Sequence, residues 1–195
     1  MTMHTPVSNA AAVTDFWFGT DPDYPQRDAW FRKSDTFDAQ IRDRFGPTIE
    51  AALAGGLHDW DATPQGLLAR IVVLDQFTRN AFRGSARAFA GDALALAAAR
   101  QLADAGLDRE LHPVWRCFAY LPFEHAEDLA MQERSVALFT ALAAADARFE
   151  GHLDYAHRHH DVIRRYGRFP HRNAVLGRAS TPEELAYLAQ PGAGF

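Results

Sequence analysis

One stretch of this sequence, TPQGLLARIVVLDQFTRN from Thr63 to Asn80, constrains the fold more than any other. Thr63 can cap the first turn of a helix, and Pro64 suits the first helical position because it has no N–H to leave unpaired. The residues that follow are apolar on nearly every side of the predicted helix. We therefore expect this helix to be buried all round by other elements.

The rest of the chain predicts further helices and no strand. Apolar residues recur every three or four positions, and Pro, Gly, Ser and Thr mark the expected helix ends. The helices are expected at about residues 9–19 with Ser8 as cap, 35–55 with Ser34 or Asp35 at the start and a kink or break at Gly46-Pro47, 85–106, 122–147 opened by Pro122, and 152–166. A last short helix is expected after a capping box of Ser180 or Thr181 with Glu184. No segment alternates apolar and polar residues long enough for a strand. The sequence predicts an all-α fold in one domain, residues 1–195.

Composition and charge limit the classes of function. The chain has 195 residues, of which 48% are hydrophobic and 23% are charged, as in ordinary globular domains. Its formal net charge of -5 gives no general attraction for nucleic acid, whose phosphates require a basic face. No signal peptide or membrane-spanning segment is recognisable, and the single Cys117 fits a reducing compartment. We expect a cytoplasmic protein with no nucleic-acid or membrane partner.

Two motifs, LDQFTRNAFRG and YGRFPHRNAVLGR, place arginine and asparagine among apolar residues. They share phenylalanine, the order Arg-Asn-Ala and a later glycine. Arginine offers a planar, always-charged fork that binds a carboxylate or phosphate through two hydrogen bonds. Two such motifs facing each other would form an anion site, and we predict a small phosphate or carboxylate ligand. The predicted ligand-binding residues are Asp75, Gln76, Arg79, Asn80, Arg83, Arg168, Arg172 and Asn173.

A structural role is the alternative for the same polar residues. In LPFEHAED, Glu124, Glu127 and Asp128 would share one side of the helix opened by Pro122, where acids compensate the helix dipole. The arginines could pair with such acids in a buried ion network that holds helix ends together. If catalysis occurs, His125 or His171 is the expected general acid or base, because histidine titrates near neutrality, and Glu124 would orient it.

A metal site is a further alternative. His157, His160 and Asp161 lie three and four residues apart on one helix face, a geometry that allows metal ligation and hence a metal-dependent hydrolase. No motif such as HExxH supports it, so we assign no metal ligand and no cofactor. Periodicity does not decide whether Trp17, Trp30 and Phe195 lie in the core or at an interface, and the oligomeric state is left open.

The segments TDFWFG, LDQFTRNAFRG, LPFEHAED, YGRFPHRNAVLGR, STPEEL and the terminal GAGF together resemble the bacterial family called domain of unknown function 924. The resemblance spans almost the whole chain and departs at Thr78, where proline is expected in family members. It implies an all-α fold similar to tetratricopeptide-repeat proteins, and it implies no activity. Stacked helix pairs of that kind form concave grooves that bind peptides, so a protein- or peptide-binding adaptor is the rival to the anion-binding hypothesis.

Overall fold

In a computed structural model, which describes residues 6–194, the chain is all-α, as predicted, and this part of it contains no strand. Short 3-10 turns join the α-helices. The helices are α1 (Ala10–Phe18), α2 (Asp35–Leu53), α3 (Pro64–Ile71), α4 (Thr78–Ala81), α5 (Asp92–Asp104), α6 (Pro113–Glu124), α7 (Leu129–Ala145), α8 (Glu150–Tyr166) and α9 (Pro182–Leu188). No helix in the described range is long and apolar enough to cross a membrane. A tetratricopeptide-repeat-like arrangement stays a prediction.

The chain divides into two compact units. The first contains the described residues up to Arg83 together with Arg87–Pro122, and the second contains Gly84–Ala86 and the described residues from Phe123. The two arginine motifs therefore belong to different units, apart from the last glycine of the first motif. The prediction of one domain over residues 1–195 stays a prediction, as does the meeting of the two motifs in one site.

Helix α3 is the centre of the first unit and is buried on every side, as the sequence predicts. Thr63 caps it by accepting a hydrogen bond from the backbone N–H of Gly66 at 3.1 Å. Its apolar side chains are fully buried, and each such valine, leucine or isoleucine contributes about 1.5–3 kcal/mol of burial free energy. Gly91 is required beside this segment, because an added Cβ would overlap the carbonyl group of Leu74.

A π-helical turn, Val72–Phe77, lies between α3 and α4 where the sequence predicts one continuous helix. Such turns insert a residue into the helical ladder and often lie at functional sites. In this turn Asp75 is fully buried, and the following Thr78 donates a hydrogen bond from its hydroxyl to the carbonyl of Leu74 at 2.7 Å. The turn therefore brings a charged side chain into the core of the first unit.

The second unit is built around α7 and α8, which pack against each other and are connected by the 3-10 turn Ala147–Phe149. Phe139 and Leu142 of α7 are fully buried, as is Ala156 of α8. The second arginine motif begins at the end of α8, where Gly167 has a φ of 69° and ends the helix in the left-handed conformation. The packing of α8 against α7 thus fixes the position of the first residues of the second arginine motif.

Three predicted helix features differ in the structure. Asn9, not Ser8, caps α1, because the Asn9 side chain accepts from the N–H of Ala12. Helix α2 continues through Pro47, so the proline removes one ladder hydrogen bond without breaking the helix. Pro122 lies inside α6 and opens no helix, since Asp128 provides the cap of α7 by accepting from the N–H of Met131.

Candidate functional site

Arg79 of the first motif is held by carboxylates of its own unit. Its guanidinium donates two hydrogen bonds to Asp92, at 2.8 and 3.1 Å, and lies 2.9 Å from a carboxylate oxygen of Asp75. Burial alone would lower the pKa of Arg79, but Asp75 and Asp92 outweigh burial and raise it. Gln76 donates to Asp75 at 2.5 Å. The predicted residues Asp75, Gln76 and Arg79 therefore form one ion network together with Asp92.

Asn80 and Arg83 both bind Asp38, in the first turn of α2. The amide nitrogen of Asn80 donates to Asp38 at 2.7 Å, and the Arg83 guanidinium donates at 2.8 and 3.1 Å. Burial raises the pKa of Asp38, but the hydrogen bonds from Arg83 and Asn80 bring that pKa below its ordinary value. This motif therefore anchors the start of another helix.

The second motif holds Glu184 in the same manner. Arg168 donates to Glu184 at 2.7 and 2.8 Å, and Asn173 donates to it at 3.1 Å. The predicted capping box of α9 is confirmed, since Glu184 also accepts from the N–H of Thr181. Hydrogen bonding to Arg168 is the largest cause that lowers the pKa of Glu184 to about 2.

Glu127 lies in the loop between α6 and α7, not on a helix face as predicted. Its carboxylate accepts from the N–H of Phe169 at 2.7 Å and from the Arg178 guanidinium at 2.6 and 2.9 Å. Burial raises the pKa of Glu127, but Arg178 and the Phe169 N–H lower it below the ordinary value. Gln132 fixes the same loop by donating to the carbonyl groups of Glu124 and Ala126 at 2.6 and 2.7 Å.

Two histidines and one arginine lie next to Phe169 in the second unit, and a third histidine lies next to one of the two. The ring of His159 lies 6.2 Å from the ring of His125 and 5.5 Å from that of Phe169. The Phe169 ring also lies 5.6 Å from the ring of His171 and 4.5 Å from the guanidinium carbon of Arg172. We call His125, His159, His171 and Arg172 the histidine cluster. It brings together His125, His171 and Arg172, which the sequence predicts to be functional.

Within the histidine cluster, the hydrogen bonds of His159 define its tautomer. Its Nδ1 lies 2.8 Å from the carbonyl oxygen of Tyr155 and 3.3 Å from a carboxylate oxygen of Glu124. Both neighbours are acceptors, so Nδ1 carries the proton and Nε2 has the lone pair. Burial, followed by the electrostatic effect of His125, lowers the pKa of His159 to about 2 and keeps the ring neutral. Glu124 thus contacts His159, and its orientation of a catalytic His125 or His171 stays a prediction.

His171 lies in the 3-10 turn Pro170–Arg172 and is partly exposed. Burial and then the charge of Arg172 lower the pKa of His171 to about 4, although Glu127 acts in the opposite direction. Gly194 packs against this ring with a φ of 90°, and an added Cβ would lie 3.1 Å from the Cβ of His171. Gly194, in the terminal GAGF segment, thus permits close packing against His171. Phe195 lies outside the described residues.

His159 is the one member of the histidine cluster that the sequence reasoning missed. That reasoning considered His157, His160 and Asp161, of which His157 and Asp161 are exposed and Asp161 pairs with Arg164. No group of three potential ligands that could hold a metal occurs in residues 6–194. The helical phase would have identified His159, because it shares the buried face of α8 with Ala156, Val162 and Ile163.

Comparison with known proteins identifies the family and leaves activity open. Residues 13–192 match the family model described as "Bacterial protein of unknown function (DUF924)". The chain is similar to a solved structure of a protein of unknown function, ATU0120, from Agrobacterium tumefaciens, with 40% sequence identity and a TM-score of 0.82. That similarity covers 92% of this chain and 96% of the other. No curated protein matches. The chain therefore belongs to the DUF924 family of bacterial proteins of unknown function.

Proposed function

We propose that the second unit binds a small anionic ligand, a phosphate or a carboxylate, at the histidine cluster. The observation that carries this proposal is the proximity of His171 and Arg172 to Phe169, with His125 close enough to act on the pKa of His171. Arginine supplies the charge, and neutral imidazoles supply N–H donors for the oxygen atoms of the ligand. Glu124 supports the site indirectly, because it helps to hold the proton of His159 on Nδ1.

The remaining predicted ligand residues are assigned a structural role in this proposal. Arg79, Arg83 and Arg168 each donate two hydrogen bonds to a carboxylate of the chain. An incoming anion would have to displace that carboxylate and leave it partly buried without its partner, which costs several kcal/mol. Asn80 and Asn173 donate to two of the same carboxylates, and Asp75 with Gln76 completes the network around Arg79.

Arg172 is the buried arginine of the second motif, and its charge lowers the pKa of the nearby Glu127. It is 6% exposed, lies over the ring of Phe169 and influences the pKa of both His159 and His171. A buried guanidinium exerts a strong field because the surrounding protein screens charge far less than water does. An oxyanion next to it gains from that field and from the donors of the imidazoles.

The test is isothermal titration calorimetry at pH 6.0 with sulfate, inorganic phosphate and short carboxylates on wild type and on Arg172→Gln. We expect at least tenfold weaker binding in the variant, because a hydrogen bond to a charged group contributes about 1.5–3 kcal/mol. Arg83→Gln is the matched control, since it removes an arginine of the other motif. Equal affinity in wild type and in a folded Arg172→Gln protein would refute the proposal.

The adaptor alternative uses the same carboxylate chemistry and can be tested in the same experiment. A short peptide with a free C-terminal carboxylate is titrated beside its C-terminal amide and beside acetate. Binding of the peptide acid at far lower concentration than acetate would favour a peptide-binding protein, because side-chain contacts would then contribute to affinity. Equal binding of acetate and peptide acid favours the small-ligand proposal.

A further inference from the structure

We propose that His58 is a phosphoryl-acceptor site, at which Nε2 of its imidazole takes a phosphoryl group from a phosphoramidate, a compound with a phosphorus–nitrogen bond. His58 opens the 3-10 turn His58–Ala62, which directly precedes α3, and it belongs to the first unit. The inference does not depend on the proposed anion site, which lies in the second unit. It rests on a chain of contacts from the buried Arg70 through Asp61 to the exposed ring of His58.

The buried end of this chain is Arg70 of α3, which fixes the carboxylate of Asp61. The Nε atom of Arg70 lies 2.8 Å from Oδ1 of Asp61, and its Nη2 donates to Oδ2 at 2.8 Å. The side chain of Arg70 is 6% exposed and that of Asp61 is 15% exposed. Two parallel hydrogen bonds to a planar guanidinium leave the carboxylate little freedom to rotate. Asp61 is thus held in position from the core of the first unit.

The exposed end of the chain is the imidazole of His58, which Asp61 orients. Its Nδ1 lies 3.0 Å from Oδ2 of Asp61. An ionised carboxylate only accepts hydrogen bonds, so Nδ1 carries the proton and Nε2 has the lone pair. The side chain of His58 is 67% exposed, so a reagent in solution can reach the ring. His58 therefore offers an accessible nucleophilic nitrogen in a tautomer that the protein selects.

The backbone before His58 also has a defined conformation. Leu57 has a φ of 66°, in the left-handed region that a bulky side chain rarely adopts. Its carbonyl oxygen accepts a hydrogen bond from the N–H of Trp60 at 3.1 Å. Such conformations persist only where the surrounding structure imposes them, and they are frequent at functional sites. The turn therefore keeps the ring of His58 within reach of Asp61.

The proposed reaction needs no further base. The lone pair of Nε2 forms a bond to phosphorus while the phosphorus–nitrogen bond of the phosphoramidate breaks, and the amine leaves with the electron pair of that bond. Nδ1 keeps its proton, so the phosphorylated ring becomes positively charged. Asp61 accepts the hydrogen bond from this proton and stabilises the positive charge as it develops, in the way that a buried carboxylate stabilises an imidazolium. Asp61 and Arg70 are thus positioning residues, and His58 is the nucleophile.

His160 on α8 shows the difference that a buried anchor makes. Its Nδ1 lies 3.7 Å from a carboxylate oxygen of Asp161, which is beyond hydrogen-bond distance. Asp161 is itself 63% exposed, and its partner Arg164 is 67% exposed. A carboxylate held only by such a surface pair does not fix the tautomer of a neighbouring ring. We therefore expect His58 to accept a phosphoryl group faster than the histidines of α8.

The test is treatment of the full chain with potassium phosphoramidate at about pH 8, where free imidazole is neutral. Peptide mass spectrometry gives the initial rate at each histidine, and 31P NMR identifies the nitrogen that carries the phosphoryl group. We expect phosphorylation of His58 on Nε2, roughly fivefold faster than that of the exposed His157 of α8, since a partly exposed ion pair gives an effect of about this size.

Two variants test the role of the carboxylate. Asp61→Asn should remove the rate advantage of His58 over His157. Asp59→Asn is the matched control and should retain the advantage, because it removes the same charge from an exposed residue next to His58 and leaves Asp61 in place. Circular dichroism verifies the fold of each variant, and His157 in the same molecule is the internal reference. Equal rates at His58 and His157 in wild type, phosphorylation on Nδ1, or an advantage that persists in folded Asp61→Asn would each overturn the inference.

A second measurement covers the case in which Asp61→Asn fails to fold, because it requires only the wild-type protein. Long-range proton–nitrogen correlation spectra show which ring nitrogen of each histidine carries the proton, and His58→Gln identifies the signals of His58. A proton on Nδ1 of His58, with an unprotonated Nε2, supports the inference. A proton on Nε2 at neutral pH overturns it, since that nitrogen would then have no lone pair with which to attack phosphorus.

Discussion

Two carboxylates, one in each unit, are held in the same way although their partners are arranged differently along the sequence. Each carboxylate lies in the first turn of a helix, where negative charge is favourable. Each accepts one hydrogen bond from an asparagine and two from an arginine. The groups are Asp38 with Asn80 and Arg83, and Glu184 with Asn173 and Arg168.

The difference lies in the arginine directly before each asparagine. Arg79 is bound by Asp75 and Asp92, whereas Arg172 lies over the ring of Phe169 and its charge acts on Glu127 and on two histidines. The same dipeptide, Arg-Asn, therefore has two different environments. The shared sequence motif indicates a shared anchoring role. The neighbours of Arg172, which differ from those of Arg79, are the reason for proposing a ligand site in the second unit.

The largest effect is expected for Arg79→Met, which breaks the network in the first unit. The fully buried Asp75 would lose its cationic partner, and breaking such a pair costs about 3–5 kcal/mol. Urea unfolding followed by circular dichroism measures the change. Arg87→Met is the control, since its ion pair with Glu50 is more than half exposed and should contribute less than about 1 kcal/mol. A similar small loss in both variants would show that Arg79 is not an anchor.

Glu184→Gln tests the corresponding anchor of the second unit through its pH dependence. We expect a loss of about 1–3 kcal/mol at pH 7, because charge-assisted hydrogen bonds are replaced by neutral ones. The pKa of Glu184 is about 2 in the folded protein and lies below its ordinary value of 4.5. Its stabilisation is therefore complete above about pH 4.5 and is lost as the pH falls toward 2. Urea unfolding of both proteins from pH 3 to pH 7 should show the difference narrowing at the acid end. A constant difference would contradict this account.

Arg172→Lys sharpens the contrast between the two Arg-Asn pairs. Lysine keeps the charge but loses the planar fork, so sulfate binding should weaken about tenfold. The matched Arg83→Lys change should leave sulfate affinity unaltered, since Arg83 lies in the first unit and binds Asp38. Calorimetric titration of the two variants checks this. A tenfold loss in Arg83→Lys as well would mean that both motifs contribute to binding, as the sequence first suggested.

The smallest expected effect distinguishes the two asparagines. Asn173 bonds to Ser180, Glu184 and Arg178, whereas Asn80 donates one bond, to Asp38. Asn173→Ala should therefore lower the free energy of unfolding by about 1 kcal/mol more than Asn80→Ala, because it removes two more hydrogen bonds, each contributing about 0.5 kcal/mol or more. Thermal unfolding of both variants under one set of conditions gives the comparison. Equal losses of unfolding free energy in the two variants would indicate that Asn80 and Asn173 stabilise their units to the same extent.

Local signals predicted much of the fold. Ser34, Thr63 and Thr181 cap their helices as the sequence indicates, since a cap depends on residues only three positions away. Pro122 misled the prediction because a proline is compatible with both a helix start and a helix interior. The cap at Asp128 is an equally local signal for the start of α7. Only the packing of the loop before it, which Gln132 holds, decides that α7 begins after Asp128 and not at Pro122.

The site was predictable only in part. His125, His171 and Arg172 were identified from residue type and context, but His159 required the phase of α8. The pairing of Arg83 with Asp38 and of Arg178 with Glu127 joins residues 45 and 51 positions apart. Arginine binds any nearby carboxylate in much the same way, so the sequence offers several partners of equal chemistry.

The sequence by itself determined that this chain is all-α, where most helices begin, that α3 is buried and which family the chain belongs to. These properties follow from hydrophobic periodicity, helix capping and short motifs, each of which depends only on residues close together in the sequence. Only the tertiary structure decided which carboxylate each arginine binds and which imidazoles surround Arg172. Electrostatic partners are chosen by distance in space, and in a folded chain that distance is set by packing between helices and not by separation along the sequence.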